Sequence, residues 1–370
     1  MLKKVRKGIS GLFLAGVLFL NAGTTALAAD ITPTPVPTIT SNLKVMKYFE
    51  MAEGLETPAE TFTFEIESNS NNPKNTPLPA VDDAVYTKDD SADVVNGKRT
   101  IKKEATITLP KVTQFPHAGE YLYTLTEVTP VQKNENITYS NESYTLRVRV
   151  KNAATGNGLD IASVTANKNP DGDTANNQNK VGEISFTNTY AKNAGLTIEK
   201  KTTGDYADRT KKFKFTITFT KKSETDATKY TGKIGNTEVQ CTAGEKAEFY
   251  LGNGDKLIFN AVPVGTRYVV EETAEPGDGY TPVSVTVTEN GTETKKTNNN
   301  EKSGISSEPQ NGTDSLVGEK TNKVVFENHY DDIPITGIIM NNLPFILLIG
   351  VAVLAFGALV FLKKRSASKR

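Results

Sequence analysis

The 370-residue sequence predicts an all-β protein built as two tandem β-sandwich domains, and three observations predict it. Runs rich in Thr, Val, Tyr and Phe alternate with stretches rich in Asn, Gly, Asp and Lys, the rhythm of short strands and turns. Between residues 30 and 336 no segment carries the 3.6-residue apolar period of a helix. Four motifs also recur in the same order in two blocks, so one structural unit occurs twice.

The ends of the chain lie outside those blocks. Residues 1–29 read as a secretory signal peptide: Lys3, Lys4, Arg6 and Lys7, then an apolar run, then Ala26-Leu27-Ala28. Residues 30–42, opening ADITPTPVPTIT, form a Pro/Thr-rich linker. Near the C-terminus, residues 338–362 form a hydrophobic transmembrane segment whose apolar run, Leu343 to Leu362, has bilayer-spanning length. The basic tail 363–370, with Lys363, Lys364, Arg365, Lys369 and Arg370, holds that end in the cytoplasm.

Residues 30–336 carry 34 basic and 43 acidic side chains, a net charge of −9 that argues against nucleic acid as a partner. Cys241 is the only cysteine, so disulfides within the chain are excluded. It lies in VQCTAGEKAEFYL, a strand and turn with no neighbour that would activate a thiol, and is read as structural. His117 and His329, the only histidines, sit in no metal-ligand spacing, and no hydrolase signature appears. No metal, cofactor or turnover chemistry is expected.

The first block spans 43–191 and the second 195–330. NLKVMK (42–47) matches GLTIEK (195–200), and TFTFEIE (61–67) matches KFKFTIT (212–218). GEYLYTLTEV (119–128) matches GTRYVVEET (265–273), and ISFTNTY (184–190) matches VVFENHY (324–330). Residues 68–98, 167–180 and 289–322 read as long polar loops or insertions.

Side chains in a strand alternate between its two faces, so each matched strand can be split into an inner and an outer set. Leu43, Val45 and Lys47 share a face, as do Leu196, Ile198 and Lys200. Tyr121, Tyr123, Leu125 and Glu127 align, as do Tyr268, Val270 and Glu272. In the last strands Ile184, Phe186, Asn188 and Tyr190 share a face, with Asn328 in the matching place in the second block. His329 falls on the outer face. Each block thus points one Lys, one Glu and one Asn inward, which is severely destabilising if the groups are charged and unpaired.

Two arrangements satisfy these groups. One is a buried Lys–Glu ion pair hydrogen-bonded to Asn, no better for stability than apolar packing. The other follows from burial, which favours the neutral forms of both ionisable groups. A neutral amine is a nucleophile, and a protonated carboxyl can polarise the Asn carbonyl and pass protons to departing ammonia. The product is an intramolecular Lys–Asn isopeptide bond, made once and never turned over.

Directly before the apolar run stands Ile333-Pro334-Ile335-Thr336-Gly337. It resembles the LPxTG-type sorting signal of Gram-positive surface proteins, which a sortase cuts between Thr and Gly, here Thr336 and Gly337. Together with the order of the repeated motifs, it makes the chain resemble the two-domain backbone pilins of streptococcal type. That resemblance implies immunoglobulin-like β-sandwiches, the second similar to collagen-adhesin B-type domains. It also implies isopeptide bonds from Lys47 to Asn188 assisted by Glu127, and from Lys200 to Asn328 assisted by Glu272. YVVEETAEPGDGY (268–280) looks like the E-box of such domains, with Glu272 as its acid and Pro276-Gly277 turning the chain. The first block lacks the Pro-Gly continuation.

A pilus also needs a lysine that receives the Thr carboxyl of the next subunit, and the resemblance implies Lys180 in NQNKVGEISFTN, with Lys168 and Lys192 as alternatives. The function implied is a structural subunit of a sortase-assembled, covalently polymerised surface pilus that supports adhesion. Its expected partners are sortase, further copies of itself, minor pilins, peptidoglycan and host surface ligands. A monomeric wall-anchored adhesin and a minor pilin are the competing readings.

Overall fold

The structure, a computed structural model, describes residues 43–169, 180–223, 225–273, 278–298, 304–308, 314–330 and 335–367. The expected signal peptide and linker lie outside the described residues, as do Pro276, Gly277, Ile333 and Pro334.

In the first domain the principal strands are β1 (Lys44–Ala52), β2 (Phe64–Ser68), β3 (Lys98–Thr108), β4 (Gly119–Glu127), β5 (Ser143–Asn152), β6 (Leu159–Lys168) and β7 (Ile184–Tyr190). One sheet runs Ala80–Val81, β3, β1, β7, Ile137–Thr138. The facing sheet runs Lys180–Val181, β6, β5, β4, β2.

The second domain has β8 (Asn193–Thr203), β9 (Lys212–Phe219), β10 (Lys256–Pro263), β11 (Arg267–Glu272), β12 (Tyr280–Glu289) and β13 (Lys323–Tyr330). Its larger sheet runs Thr237–Thr242, Lys229–Ile234, β10, β8, β13, β12, Thr292–Thr297. The smaller runs Ala247–Gly252, β9, β11, Ile305–Ser306. The protein is thus mostly β, with two sandwich domains.

Period-2 alternation produces both cores. In β9, Phe213, Phe215, Ile217 and Phe219 are buried while Lys212, Lys214, Thr216 and Thr218 turn outward. Burying each such aromatic contributes roughly 2–3 kcal/mol. One core gathers Val45, Phe49, Tyr121, Tyr123, Leu125 and Phe186; the other gathers Leu196, Ile198, Phe215, Val270 and Phe326.

In both domains the first and last strands are parallel neighbours in one sheet. β1 pairs with β7, placing Lys47 opposite Phe186 and Phe49 opposite Asn188. β8 pairs with β13, placing Lys200 opposite Phe326 and Thr202 opposite Asn328. Because these strands run the same way, the chain enters each domain at one pole and leaves at the other.

Two of the expected loops carry structure. Within 68–98, Ala84–Tyr86 pairs with Glu60–Phe62, and Tyr86 is buried with its hydroxyl donating to the Lys47 carbonyl at 2.7 Å. Within 289–322, Thr292–Thr297 forms a hairpin with β12, and Val317 is buried. Asn290 (φ 48°) and Gly291 (φ 82°) turn that hairpin, and Asn96 (φ 52°) and Gly97 (φ 74°) turn another between Asp93–Val95 and β3. Asn-Gly is the pair that tolerates left-handed backbone at both turn positions. Of 167–180, Asn167 and Lys180 pair with each other and 170–179 lie outside the described residues.

The two domains meet through the turn after β1. Arg267 reaches Glu53 at 2.8 Å, Lys192 reaches Glu319 at 2.5 Å, and the Glu319 N–H donates to the Gly54 carbonyl at 3.0 Å. Gly54 (φ +89°) permits this approach, since a Cβ there would lie 3.1 Å from the Gly318 backbone.

A 33-residue helix, α1 (Ile335–Ala367), follows. Its side chains are described without a break only from Phe345 to Phe361, and all of these are exposed. Counted over the described residues, no helix is long and apolar enough to cross a membrane. Ile335, Thr336 and Gly337 form the start of the helix, and their side chains are not among those described.

Candidate functional site

The inward Lys, Glu and Asn of each block meet. In the first domain β1 supplies Lys47, β7 supplies Asn188 from the same sheet, and β4 supplies Glu127 from the facing sheet. All three are buried. Lys47 Nζ donates to Glu127 Oε2 at 2.6 Å, and Asn188 Nδ2 donates to Glu127 Oε1 at 2.5 Å. The carboxylate bridges the amine and the carboxamide.

The second domain repeats the arrangement with Lys200 on β8, Asn328 on β13 and Glu272 on β11, again all buried. Lys200 Nζ donates to both Glu272 oxygens, at 2.9 and 3.1 Å, and Asn328 Nδ2 donates to Glu272 Oε1 at 2.6 Å. Even the neighbours correspond. Phe64 pairs with Glu127 and packs on Phe186 at 5.3 Å, while Phe215 pairs with Glu272 and packs on Phe326 at 5.2 Å.

Burial shapes the electrostatics. Loss of water brings the Lys47 ammonium down to about 8, against the opposing pull of Glu127. Lys200 is likewise brought down to about 8, with burial outweighing Glu272. The Glu272 carboxyl is pushed up by its own burial, against Lys200 and Asn328. At pH 7 about a tenth of a lysine population titrating at 8 is neutral amine, against fewer than about one in a thousand for an ordinary lysine.

Sequence reasoning missed three participants. Phe62 covers Lys47 Nζ with its ring centroid at 4.5 Å, and Phe213 covers Lys200 Nζ at the same 4.5 Å. These two residues occupy matching places in TFTFEIE and KFKFTIT, so the signal was a Phe-x-Phe shared by both blocks. The third is the backbone N–H of Ser140, which donates to Asn188 Oδ1 at 2.7 Å.

That contact alters one expectation. An N–H can only donate, so Asn188 must turn its oxygen toward Ser140 and its nitrogen toward Glu127. The carboxyl therefore faces the nitrogen that would leave, not the carbonyl it was expected to polarise. Asn328 Oδ1, also buried, finds no hydrogen-bond partner among the described residues.

The remaining candidates are not gathered into these sites. Lys180 is exposed on the edge strand Lys180–Val181 and forms no ion pair with a described residue. Lys168 is held by Glu142 at 2.7 Å, and Lys192 by Glu319 across the domain junction. Cys241 is buried and free, its thiol pushed up to about 11 by burial. His329 turns away from Asn328 and its Nδ1 lies 3.0 Å from Thr203 Oγ1. No cluster able to hold a metal ion occurs among the described residues.

Residues 43–191 match the family described as Spy0128-like isopeptide containing domain, and residues 194–330 match a domain of unknown function, DUF7601. A pilin of Streptococcus pyogenes serotype M1 is 30% identical over 355 residues, covering 89% of this chain and 91% of its own. The major pilin of Streptococcus pyogenes, solved as a crystal structure, is 23% identical over 78% of this chain and 98% of its own, with a TM-score of 0.36. The major pilin protein T3.2 of Streptococcus pyogenes serotype GAS13637 is 21% identical over the same shares, with a TM-score of 0.34. Kinship rests on the long match in sequence. By that match the chain belongs to the streptococcal pilin family, a family of structural proteins and not of enzymes.

Proposed function

We propose that this chain is the backbone subunit of a sortase-assembled, covalently polymerised pilus on the surface of a Gram-positive bacterium. Each domain closes with a self-formed isopeptide bond, Lys47 to Asn188 assisted by Glu127 and Lys200 to Asn328 assisted by Glu272. The observation that carries this reading is the repetition of one buried Lys–Glu–Asn contact at one register in both domains. A single buried ion pair has structural explanations enough. Two copies, each with a carboxyl on the amide nitrogen and an aromatic ring on the amine, fit a shared reaction better.

In this reading Ile333-Pro334-Ile335-Thr336-Gly337 is the sorting motif. Sortase cleaves between Thr336 and Gly337 and releases the hydrophobic segment 338–362 with the basic tail. The Thr336 carboxyl then joins Lys180 of another subunit, or peptidoglycan at the base. Minor pilins and host surface ligands complete the partner set. The signal peptide 1–29 exports the chain.

Intact mass of the unboiled, denatured fragment 30–336 tests the chemistry. Loss of one ammonia, about 17 Da, is expected for each domain. An unshifted mass refutes both bonds, and a single loss refutes one.

A further inference from the structure

We infer that the backbone N–H of Ser140 is the oxyanion donor for closure of the first domain, a catalytic group with no counterpart among the described residues of the second. The inference rests on the isopeptide reading and deepens it.

The N–H is placed by a short piece of sheet. Ile137–Thr138 pairs with the end of β7, Thr138 opposite Thr189 and Ile137 opposite Tyr190. The ladder stops there, and the chain turns away through Ser140, whose hydroxyl accepts from the Glu142 N–H at 3.3 Å. Released from strand pairing, the Ser140 N–H aims at the side chain of Asn188 and meets Oδ1 at 2.7 Å.

This divides the work among three groups. Neutral Lys47 Nζ attacks Asn188 Cγ, and the carbonyl electron pair moves onto Oδ1. The charge developing there falls on a fixed donor in a water-excluded site, where such a donor is worth most. Glu127 takes a proton from the attacking nitrogen and delivers one to Nδ2, which it already contacts. Collapse of the intermediate forms the Nζ–Cγ amide and expels Nδ2 as ammonia, so one amine and one carboxamide become one secondary amide and one ammonia. In the second domain Glu272 contacts the amide nitrogen in the same way, yet Asn328 Oδ1 finds no such donor among the described residues.

The test removes the N–H by two different means in the two-domain fragment 30–336 made by cell-free translation. One variant places lactic acid at position 140 by nonsense suppression, turning the amide into an ester, with Ser140→Ala as its amide control. The other is Ser140→Pro. Samples are quenched in denaturant over time and digested, and both cross-linked peptides are quantified by mass spectrometry. Removing one oxyanion donor is expected to slow Lys47–Asn188 closure roughly 100-fold. Lys200–Asn328 closure in the same molecules serves as the clock and stays unchanged. Closure at the control rate in either variant overturns the inference while leaving the bond standing. If neither cross-link ever forms in the unaltered fragment, the isopeptide reading itself fails, and this inference with it.

Discussion

Asn188 lies two residues beyond Phe186, the partner of Lys47 on the neighbouring parallel strand, and Asn328 lies two residues beyond Phe326, the partner of Lys200. The offset matters because successive inward positions on a strand are two residues apart. A lysine reaching along its strand therefore meets the next inward side chain of its neighbour, not the one directly opposite. Both domains share this spacing, so the contact belongs to the architecture of each sandwich.

Parallel first and last strands give a mechanical prediction. In the proposed pilus, load entering at Lys180 passes into β7, which the proposed Lys47–Asn188 bond pins to β1. It then crosses to β8, where the proposed Lys200–Asn328 bond carries it directly to β13, bypassing every strand between. Single-molecule pulling on the mature protein is expected to show no extension of the second domain. Asn328→Ala frees residues 200–328 to unravel, adding about 450 Å of contour. An extension of that size in the unaltered protein would sink the load-path argument.

The same variant exposes the buried pair to titration. With Asn328→Ala, Lys200 stays an amine whose folded pKa is about 8, against 10.5 in the unfolded chain. Between those values the unfolded chain binds more protons, so stability rises with pH, by about 3 kcal/mol across the window. Glu272 acts in the opposite sense. Its carboxyl is raised in the folded state, so just above its ordinary 4.5 the folded chain binds more protons and stability falls as pH rises. Urea titrations at stepped pH are expected to show both slopes in the variant. On the proposed bond neither slope belongs to the unaltered protein, where Lys200 would be an amide and Glu272 would have no cationic partner.

Exposure and pairing separate the three lysines. Lys168 and Lys192 are held by carboxylates, whereas Lys180 is exposed on an edge strand. Immunoblots of wall extracts are expected to show a high-molecular-weight ladder that collapses to monomer with Lys180→Ala and persists with Lys168→Ala. A ladder surviving Lys180→Ala moves the joint elsewhere. A single band from the unaltered strain favours the monomeric adhesin.

What the sequence showed, and what it hid, follows from the range of each interaction. Strand alternation is local, so the inward set Lys47, Glu127, Asn188 and its copy were legible from spacing alone. The pairing of β1 with β7 spans some 140 residues, and no local pattern encodes its register. Tyr86 was hidden for a different reason: it sits in a polar stretch whose composition says loop, and only the folded chain buries it against Phe49 and Phe62. Asn96-Gly97 and Asn290-Gly291 carry a hairpin-turn signature inside stretches whose polar composition reads as long loop. The Ser140 donor had no signature at all, because every residue except proline carries a backbone N–H.

The aromatic caps give the last prediction. Phe62 and Phe213 stand 4.5 Å from the two amines and help exclude the water that would hold each lysine protonated. Removing one of them has two separable consequences, a cavity and a wetter amine. Phe213→Ala is expected to cost about 3–5 kcal/mol in the folded domain. It should also move Lys200 back toward 10.5, cutting the neutral fraction at pH 7 by up to about 300-fold and slowing closure in proportion. The separation comes from pH. If lost desolvation is the cause, closure in Phe213→Ala recovers as pH is raised toward 10, whereas a distorted site stays slow at every pH. Closure of Lys47–Asn188 in the same molecule, capped by its own Phe62, reports whether the rest of the chain has folded.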